Sequence, residues 1–227
     1  MSTLLSALQT CILFENKTKD EIEYLLSRTI YRIDSFKRNE VIFSHDQSAD
    51  IMGIILNGAV DIQKFFPSGK VVTIARTNSP SLIGESVIFS DAKHYPNALT
   101  AYKQCEILFI HRNEVIKLFS LDNQIMSNFL KSVSNSRLLL EQKIGILSLN
   151  SIQERIVCYL IHEYQNLDNS NIIRLPFSKK VWAEYINVSR TSLSRELKKM
   201  EQNGIITFKK GNIKIENLKR LKEILYK

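Results

Sequence analysis

The sequence predicts an α+β protein with an N-terminal antiparallel β-roll of jelly-roll type, a long dimerisation helix and a C-terminal winged helix-turn-helix. Three observations predict this. Short β-branched and aromatic runs separated by turn residues dominate residues 31–110. Apolar residues then recur at helical spacing over residues 113–149, and the last third is strongly basic. We therefore expect domains at residues 1–112, 113–149 and 150–227.

The composition is that of an ordinary globular protein. The 227 residues are 44% hydrophobic and include only seven Gly and four Pro, which excludes collagen-like and disordered classes. Cys11, Cys105 and Cys158 stand far apart, so the sequence predicts no disulfide framework and no zinc or other metal site. We find no apolar run of about 18 residues and no signal peptide, and we expect a cytoplasmic protein without a membrane segment.

The positive charge is concentrated at one end of the chain. Residues 1–149 carry 16 basic and 15 acidic side chains, whereas residues 150–227 carry 15 and 8. Clustered Lys and Arg displace the counterions condensed on nucleic acid, so the basic third favours a polyanion as partner. A solvated surface that only confers solubility is the alternative on charge alone.

The first part is predicted to consist of one helix and a series of short antiparallel strands. The helix spans about Lys19 to Leu26. Asn57-Gly58 and Pro67-Ser68-Gly69-Lys70 are expected to form hairpin turns. No Gly-rich loop follows a strand, so a Rossmann or P-loop nucleotide site is excluded. The strands are expected at Tyr31–Phe36, Glu40–Phe43, Ile51–Leu56, Ala59–Phe66, Val71–Arg76, Ala98–Tyr102 and Glu106–Ile110.

Residues 113–149 are predicted to form one long helix with an apolar stripe. Its repeat of seven residues comprises Met126, Val133, Leu140 and Leu147, with Leu130 and Ile144 on a neighbouring position and Arg137 interrupting them. Such a stripe packs either against its own domain or against a second copy of itself. The seven-residue period favours the second copy, which predicts a homodimer.

The last third begins with a helix from Ser151 to about Tyr164. A loop at Asn166–Asn171 and a strand at Ile172–Leu175 follow, and Pro176 closes that segment. After two further helices come a strand at Ile205–Lys209, a Gly211-Asn212 turn and a strand at Ile213–Ile215. A basic helix begins near Leu218.

Two short helices form the central motif of this third. Ser178 is a good N-cap for the first helix and Ser189 for the second. Leu193, Leu197 and Met200 of the second helix are spaced to face inward. The opposite face is polar, and its side chains suit base edges and phosphates in the major groove: Arg190, Thr191, Ser194, Arg195 and Lys198.

Further side chains are placed for phosphate. Ser178, Lys179, Ser189 and Ser192 lie near helix starts, where backbone donors also favour anions. Lys209, Lys210 and Lys214 belong to the hairpin that follows. A small structural domain is the alternative, but capping, the polar face and the charge together favour DNA.

Residues 178–206 (SKKVWAEYINVSRTSLSRELKKMEQNGII) resemble the DNA-binding signature of the Crp/Fnr family of bacterial transcription regulators. Residues 55–60 (ILNGAV) and 82–85 (LIGE) are similar to the strand with its Gly turn and to the phosphate-binding cassette of that family. The resemblance implies a β-roll like a cyclic-nucleotide-binding domain, a dimerisation helix and a winged helix, which together cover essentially the whole chain.

The resemblance also implies roles for individual residues. Arg190, Ser194 and Arg195 would contact bases, and Ser178, Lys179, Ser189 and Ser192 would contact phosphates. Thr191 departs from the family, because well-known members carry an acidic residue there that accepts from a cytosine amino group. The familiar half-sites are therefore not expected. RNA polymerase would be a further partner if the protein activates transcription.

The β-roll departs from the cyclic-nucleotide pattern. In family members that bind cyclic AMP, the Gly-Glu pair is followed later in the chain by Arg and then by Ser or Thr. This chain has Tyr95 and Pro96 at those two positions. A cyclic phosphate would therefore lack the positive charge of the Arg side chain and the hydrogen-bond donor of the hydroxyl, and proline offers no amide donor in their place. We expect another small effector or none, and the candidate residues for its pocket are Glu85, Tyr95, Tyr102 and Lys103. A cyclic-nucleotide-responsive regulator or binding module is the alternative.

The sequence predicts no enzyme and no cofactor. No nucleophile with its base and no paired carboxylates stand at recognisable spacing. The cluster-binding relatives need several N-terminal cysteines, and this chain has only Cys11 there. His45, His94, His111 and His162 are single histidines, so they predict no metal site.

Overall fold

The computed structural model describes residues 2–66, 68–165, 167, 170–175, 178–209 and 211–226. The chain divides into two compact units, Met1–Asn135 and Ser136–Lys227. The division falls inside the segment predicted as the long helix. The boundaries at residues 112 and 149 remain a prediction.

The first unit begins with two helices and continues into an antiparallel sheet. Thr18 and Glu21 form a reciprocal capping box at the start of α2, which fixes that helix near the predicted position. The elements of the unit are α1 (Ser2–Gln9), α2 (Lys19–Ser27), β1 (Tyr31–Phe36), β2 (Val41–Phe43), β3 (Ile51–Phe65), β4 (Val71–Asn78), β5 (Ser81–Ile83), β6 (Ala98–His111), α3 (Arg112–Leu121) and the first half of α4 (Asn123–Ser148).

The two longest strands, β3 and β6, form the centre of the sheet. Its strand order is β1-β6-β3-β4, while β2 pairs with β6 and β5 pairs with β3, all antiparallel. Alternate residues of β3 face two different apolar clusters. One cluster lies within the roll, between its strands, and the other lies between the sheet and the helices that pack on it. The predicted α+β class with an N-terminal antiparallel roll is confirmed.

The predicted turn at Asn57-Gly58 is wrong. Both residues lie within β3, where the register against β6 shifts in a bulge. Gly58 has φ +100°, and a Cβ there would lie 2.4 Å from the Cβ of Cys105, so the bulge requires glycine. The strands predicted on either side of this position are one strand, and the last two predicted strands of the roll are likewise one, β6.

The predicted single long helix is interrupted near its start. α3 ends at Leu121, Asp122 takes an extended conformation, and α4 begins at Asn123. The Asp122 carboxylate accepts a hydrogen bond from the Gln124 amide and pairs with Lys17. Apolar periodicity continues across Asp122, and for that reason the sequence did not reveal the break.

The second unit holds the remainder of α4 and a helical domain with a small sheet. Its strand order is β7-β9-β8, so two C-terminal strands form a hairpin with β7 at one edge. The loop at 166–171 and Pro176 lie largely outside the described residues. The elements are α5 (Ile152–Gln165), β7 (Ile172–Arg174), α6 (Lys179–Tyr185), α7 (Arg190–Gln202), β8 (Ile206–Lys209), β9 (Asn212–Ile215) and α8 (Leu218–Glu223).

Asn128 ties the N-terminal segment to α4. Its side chain is only 2% exposed, and its Nδ2 donates to the carbonyls of Leu13 and Glu15, each at 3.0 Å. Its Oδ1 accepts from Gln124 at 2.9 Å. Lys131 adds an ion pair to Glu15 at 2.6 Å. The first residues of the chain are thus part of the fold.

We predict that Asn128→Ala lowers the free energy of unfolding by about 1–3 kcal/mol, because buried carbonyls lose their donor. Urea denaturation measures this. Asn135→Ala, on an exposed position of the same helix, should change the value by less than about 0.5 kcal/mol. Equal effects of the two substitutions would contradict the role of the buried amide.

Candidate nucleic-acid interface

Helices α6 and α7 are set at a fixed angle by a tight turn with its own caps. Ser178 accepts a hydrogen bond from the Val181 amide, and Ser189 accepts one from the Ser192 amide at 3.0 Å. Asn187 between the helices has φ +55°, a conformation that Asn tolerates better than most residues. The amide of Val188 donates to the carbonyl of Ala183 at 2.9 Å and closes the turn.

The inner face of α7 is fully buried. Leu193, Leu197 and Met200 pack in one apolar cluster with Trp182 and Ile186. The predicted inward residues are therefore in the core. Because α7 has 3.6 residues per turn, burial of these positions directs the intervening side chains toward solvent.

The outer face of α7 presents the predicted base readers. Arg190, Thr191 and Arg195 are exposed, and Ser194 is half-buried beside them. Among the described residues, neither arginine forms a hydrogen bond or an ion pair with another side chain. Their guanidinium groups are available for an external acceptor, and the fork of donors suits the O6 and N7 atoms of guanine.

The first turn of α7 carries a cluster of hydroxyls and no acid. Ser189 Oγ lies 2.7 Å from Thr191 Oγ1 and 2.8 Å from Ser192 Oγ. No acidic residue stands in the first turn of α6 or α7. The positive ends of both helix dipoles are thus uncompensated, an arrangement that favours phosphate.

The hairpin of β8 and β9, called the wing below, brings further lysines near the helices. Lys209 is exposed, and Lys179 of α6 places its Nζ 3.9 Å from the ring centroid of Phe208 in β8. Lys214 is paired with Glu216 at 2.8 Å, so part of its charge is neutralised. Lys210 lies outside the described residues. Neither Phe208 nor Glu216 was identified from the sequence, because their roles depend on contacts across the wing.

The four effector-pocket candidates do not line one pocket in the described structure. Tyr102 is exposed on β6, and the guanidinium carbon of Arg76 lies 3.1 Å from the centroid of its ring. Lys103 is exposed beside it. Tyr95 lies inside the roll. Glu85 lines an apolar groove of about 600 Å³ formed with α3 and α4, where burial raises the pKa of its carboxyl.

Tyr95 fills the interior of the roll. It is 2% exposed and stacks on Phe43 with ring centroids 4.2 Å apart, and its hydroxyl donates to the carbonyl of Ile51. Burial raises the pKa of Tyr95 to about 12, so the phenol stays neutral. Lys93, two residues before Tyr95, is exposed. The interior thus carries an aromatic ring where the resemblance places a cation.

Two of the three thiols are buried, and the described thiols and histidines do not gather into a metal site. Burial raises the pKa of the Cys11 thiol to about 11, and Cys105 is also buried. Within the described ranges, no three His, Cys, Asp or Glu side chains converge as a metal site would require. None of the described helices combines the length and apolar character needed to cross a membrane.

The apolar stripe on α4 is largely uncovered. Leu140 and Ile144 are 62% and 67% exposed, and Met126 and Leu130 are exposed nearer the start of the helix. Leu138 and Leu139, off the seven-residue repeat, are exposed as well. α4 therefore has apolar surface, on the stripe and away from it, that the chain itself does not bury.

An exposed recognition face on a winged helix-turn-helix, joined through a long helix to a β-roll, defines a DNA-binding transcription regulator. Two family models agree with that class. The Crp-like helix-turn-helix domain matches residues 154–224, and the cyclic nucleotide-binding domain matches residues 33–122. Together they account for well over half of the chain in the predicted order. The chain belongs to the Crp/Fnr family of transcription regulators.

Individual relatives are distant in sequence. The chain is 21% identical to the anaerobic regulatory protein of Bacillus subtilis (strain 168) over 188 residues, 81% of this chain and 79% of that one. Its fold is similar to CooA of Carboxydothermus hydrogenoformans (TM-score 0.61, 15% identity, 98% and 95% covered). It is also similar to the catabolite activator protein of Thermus thermophilus (TM-score 0.54, 17% identity, 95% and 98% covered).

Proposed function

We propose that the protein is a homodimeric, sequence-specific DNA-binding regulator that reads bases with α7. The observation that carries this proposal is the pair of exposed arginines, Arg190 and Arg195, which lie opposite a buried apolar face and have no hydrogen-bond or ion-pair partner among the described residues. Thr191 and Ser194 are the other proposed base contacts. The proposed phosphate contacts are Ser178, Lys179, Ser189, Ser192, Lys209 and Lys210.

The proposed dimer forms through the apolar stripe of α4. Burying a leucine or isoleucine side chain contributes about 1.5–3 kcal/mol, so several exposed residues on one helix are costly unless a second copy covers them. A parallel pair of α4 helices would set two recognition helices about one DNA turn apart on a pseudo-palindromic site. RNA polymerase is a proposed further partner if the bound dimer activates transcription, and a chromosomal target implies a cytoplasmic protein.

We propose that the roll does not respond to cyclic nucleotides, and a cyclic-nucleotide-responsive regulator is the alternative. Tyr95 occupies the interior, and no arginine stands at the position that pairs with a cyclic phosphate in the family. A small effector of another kind, or none, is consistent with this. Family members are transcription regulators, and we propose no enzymatic activity for this chain.

We predict that Arg195→Ala weakens binding to the selected DNA site by about 1–3 kcal/mol, equivalent to about 5-fold to 150-fold. A bidentate base contact is lost, so affinity for random DNA should fall much less. The site is obtained by in vitro selection, and a mobility-shift titration measures both affinities. Lys199→Ala removes the same charge from the last turn of α7 and serves as control. Unchanged discrimination in Arg195→Ala would contradict base reading.

We predict that Leu140→Lys raises the dimer dissociation constant by about tenfold or more, because a charge replaces an apolar contact in the seam. Sedimentation equilibrium measures the change. Leu138→Lys is the matched control, since Leu138 is 55% exposed on the same helix and lies off the repeat. If both substitutions dissociate the dimer equally, or if the parent is monomeric, the proposed seam is wrong.

We predict that cyclic AMP and cyclic GMP at about 1 mM leave the melting temperature within about 1 °C and the DNA affinity unchanged. A ligand at 100 times its dissociation constant would stabilise the fold by about 2.7 kcal/mol, a shift that thermal denaturation detects readily. A saturable shift with either nucleotide would support the alternative, a cyclic-nucleotide-responsive regulator.

A further inference from the structure

Arg155 in α5 bonds three backbone carbonyls from two separate places in the chain. Its Nε donates to the carbonyl of Leu149 at 3.0 Å. Its Nη1 donates to the carbonyls of Ile186 at 3.2 Å and Asn187 at 3.4 Å. All four residues belong to the second unit. One side chain therefore connects the residue just after α4 with the turn just before α7.

The three acceptors are carbonyls that the local helices leave without partners. Leu149 follows the last turn of α4, and Ile186 and Asn187 follow the last turn of α6, where terminal carbonyls lack an intrahelical donor. The planar guanidinium holds its donors in a rigid fork, so it fixes both distance and direction between the two segments. A lysine at this position could reach only one of them.

Arg155 is not itself placed to touch DNA. It is half-buried in α5, its three hydrogen bonds are all to backbone carbonyls of the chain, and it lies on neither α7 nor the β8–β9 hairpin. The neighbouring acid, Glu154, accepts a hydrogen bond from the Ser151 amide at 2.8 Å, while Ser151 Oγ accepts one from the Glu154 amide at 3.1 Å, so this acid is engaged in capping α5. The contribution of Arg155 is therefore geometric.

We propose that Arg155 is a positioning residue that fixes the orientation of the α6–α7 turn relative to the C-terminal end of α4. This inference rests on the proposed function. In a dimer joined through α4, the orientation of each turn relative to its own α4 determines the separation of the two recognition helices. Arg155 thereby sets which half-site spacing the dimer accepts, without contacting a base or a phosphate.

The test compares the dependence of affinity on half-site spacing in four proteins. The parent, Arg155→Met, Arg155→Lys and Arg220→Met are titrated with the selected site and with versions whose spacer is longer or shorter by about two base pairs. Arg220 donates to the carbonyl of Asn203 at the end of α7, at 3.1 Å, and does not reach α4. It is the matched control for loss of one arginine and one carbonyl bond.

We expect the parent and Arg220→Met to prefer one spacer by about tenfold or more. Arg155→Met should bind a single half-site with parental affinity and lose most of that preference, and Arg155→Lys should fall between them. Affinity should depend on salt with the parental slope, because no phosphate contact is lost. A residue with only a structural role would weaken the single half-site and all spacers alike.

Two results would overturn the inference while the proposed function stands. One is parental spacing preference in Arg155→Met. The other is an equal loss on the single half-site and every spacer, with a lower melting temperature, in both Arg155→Met and Arg155→Lys. A parent that binds the selected site with no spacing preference, or binds no site, overturns the proposed dimeric function and this inference with it.

Discussion

The burial of one face of α7 is the constraint on which the DNA-binding part depends. Leu193, Leu197 and Met200 are packed against Trp182, and rotating the helix would expose all three at about 1.5–3 kcal/mol each. The helix therefore has a single orientation about its axis. Arg190 and Arg195 face outward as a consequence, and their availability for an external acceptor follows from packing on the other side.

The β-roll and α4 distribute apolar surface in opposite ways. Inside the roll, Tyr95 and Phe43 stack and the space is occupied by the chain's own side chains. On α4, leucines and isoleucines remain exposed. The apolar side chains of the roll are therefore covered within the chain, whereas those of α4 are not.

Sequence reasoning succeeded where structure is decided by neighbouring residues. Ser178 and Ser189 cap helices within one turn, and the spacing of Leu193 and Leu197 defines a buried face, so α6 and α7 were predicted closely.

Sequence reasoning failed where contacts between residues far apart in the chain decide the structure. The bulge at Gly58 depends on Cys105 in another strand, and the ion pair at the helix break joins Asp122 to Lys17 near the start of the chain. The Arg155 bridge joins backbone carbonyls, which leave no trace in side-chain patterns. The base and phosphate contacts remain predictions, since they depend on DNA.

The anchoring of the first residues on α4 limits how the protein can be shortened. Asn128 and Lys131 hold residues 13–15, and Lys17 pairs with Asp122 at the beginning of α4. A fragment starting at the first strand would lack α1 and α2, would leave the Asn128 amide and the Asp122 carboxylate without these partners, and would expose apolar side chains of the sheet that cluster with those helices, such as Met52 and Ile54. A truncated roll would therefore lack the contacts that hold the beginning of α4. Studies of the isolated roll should retain α1 and α2.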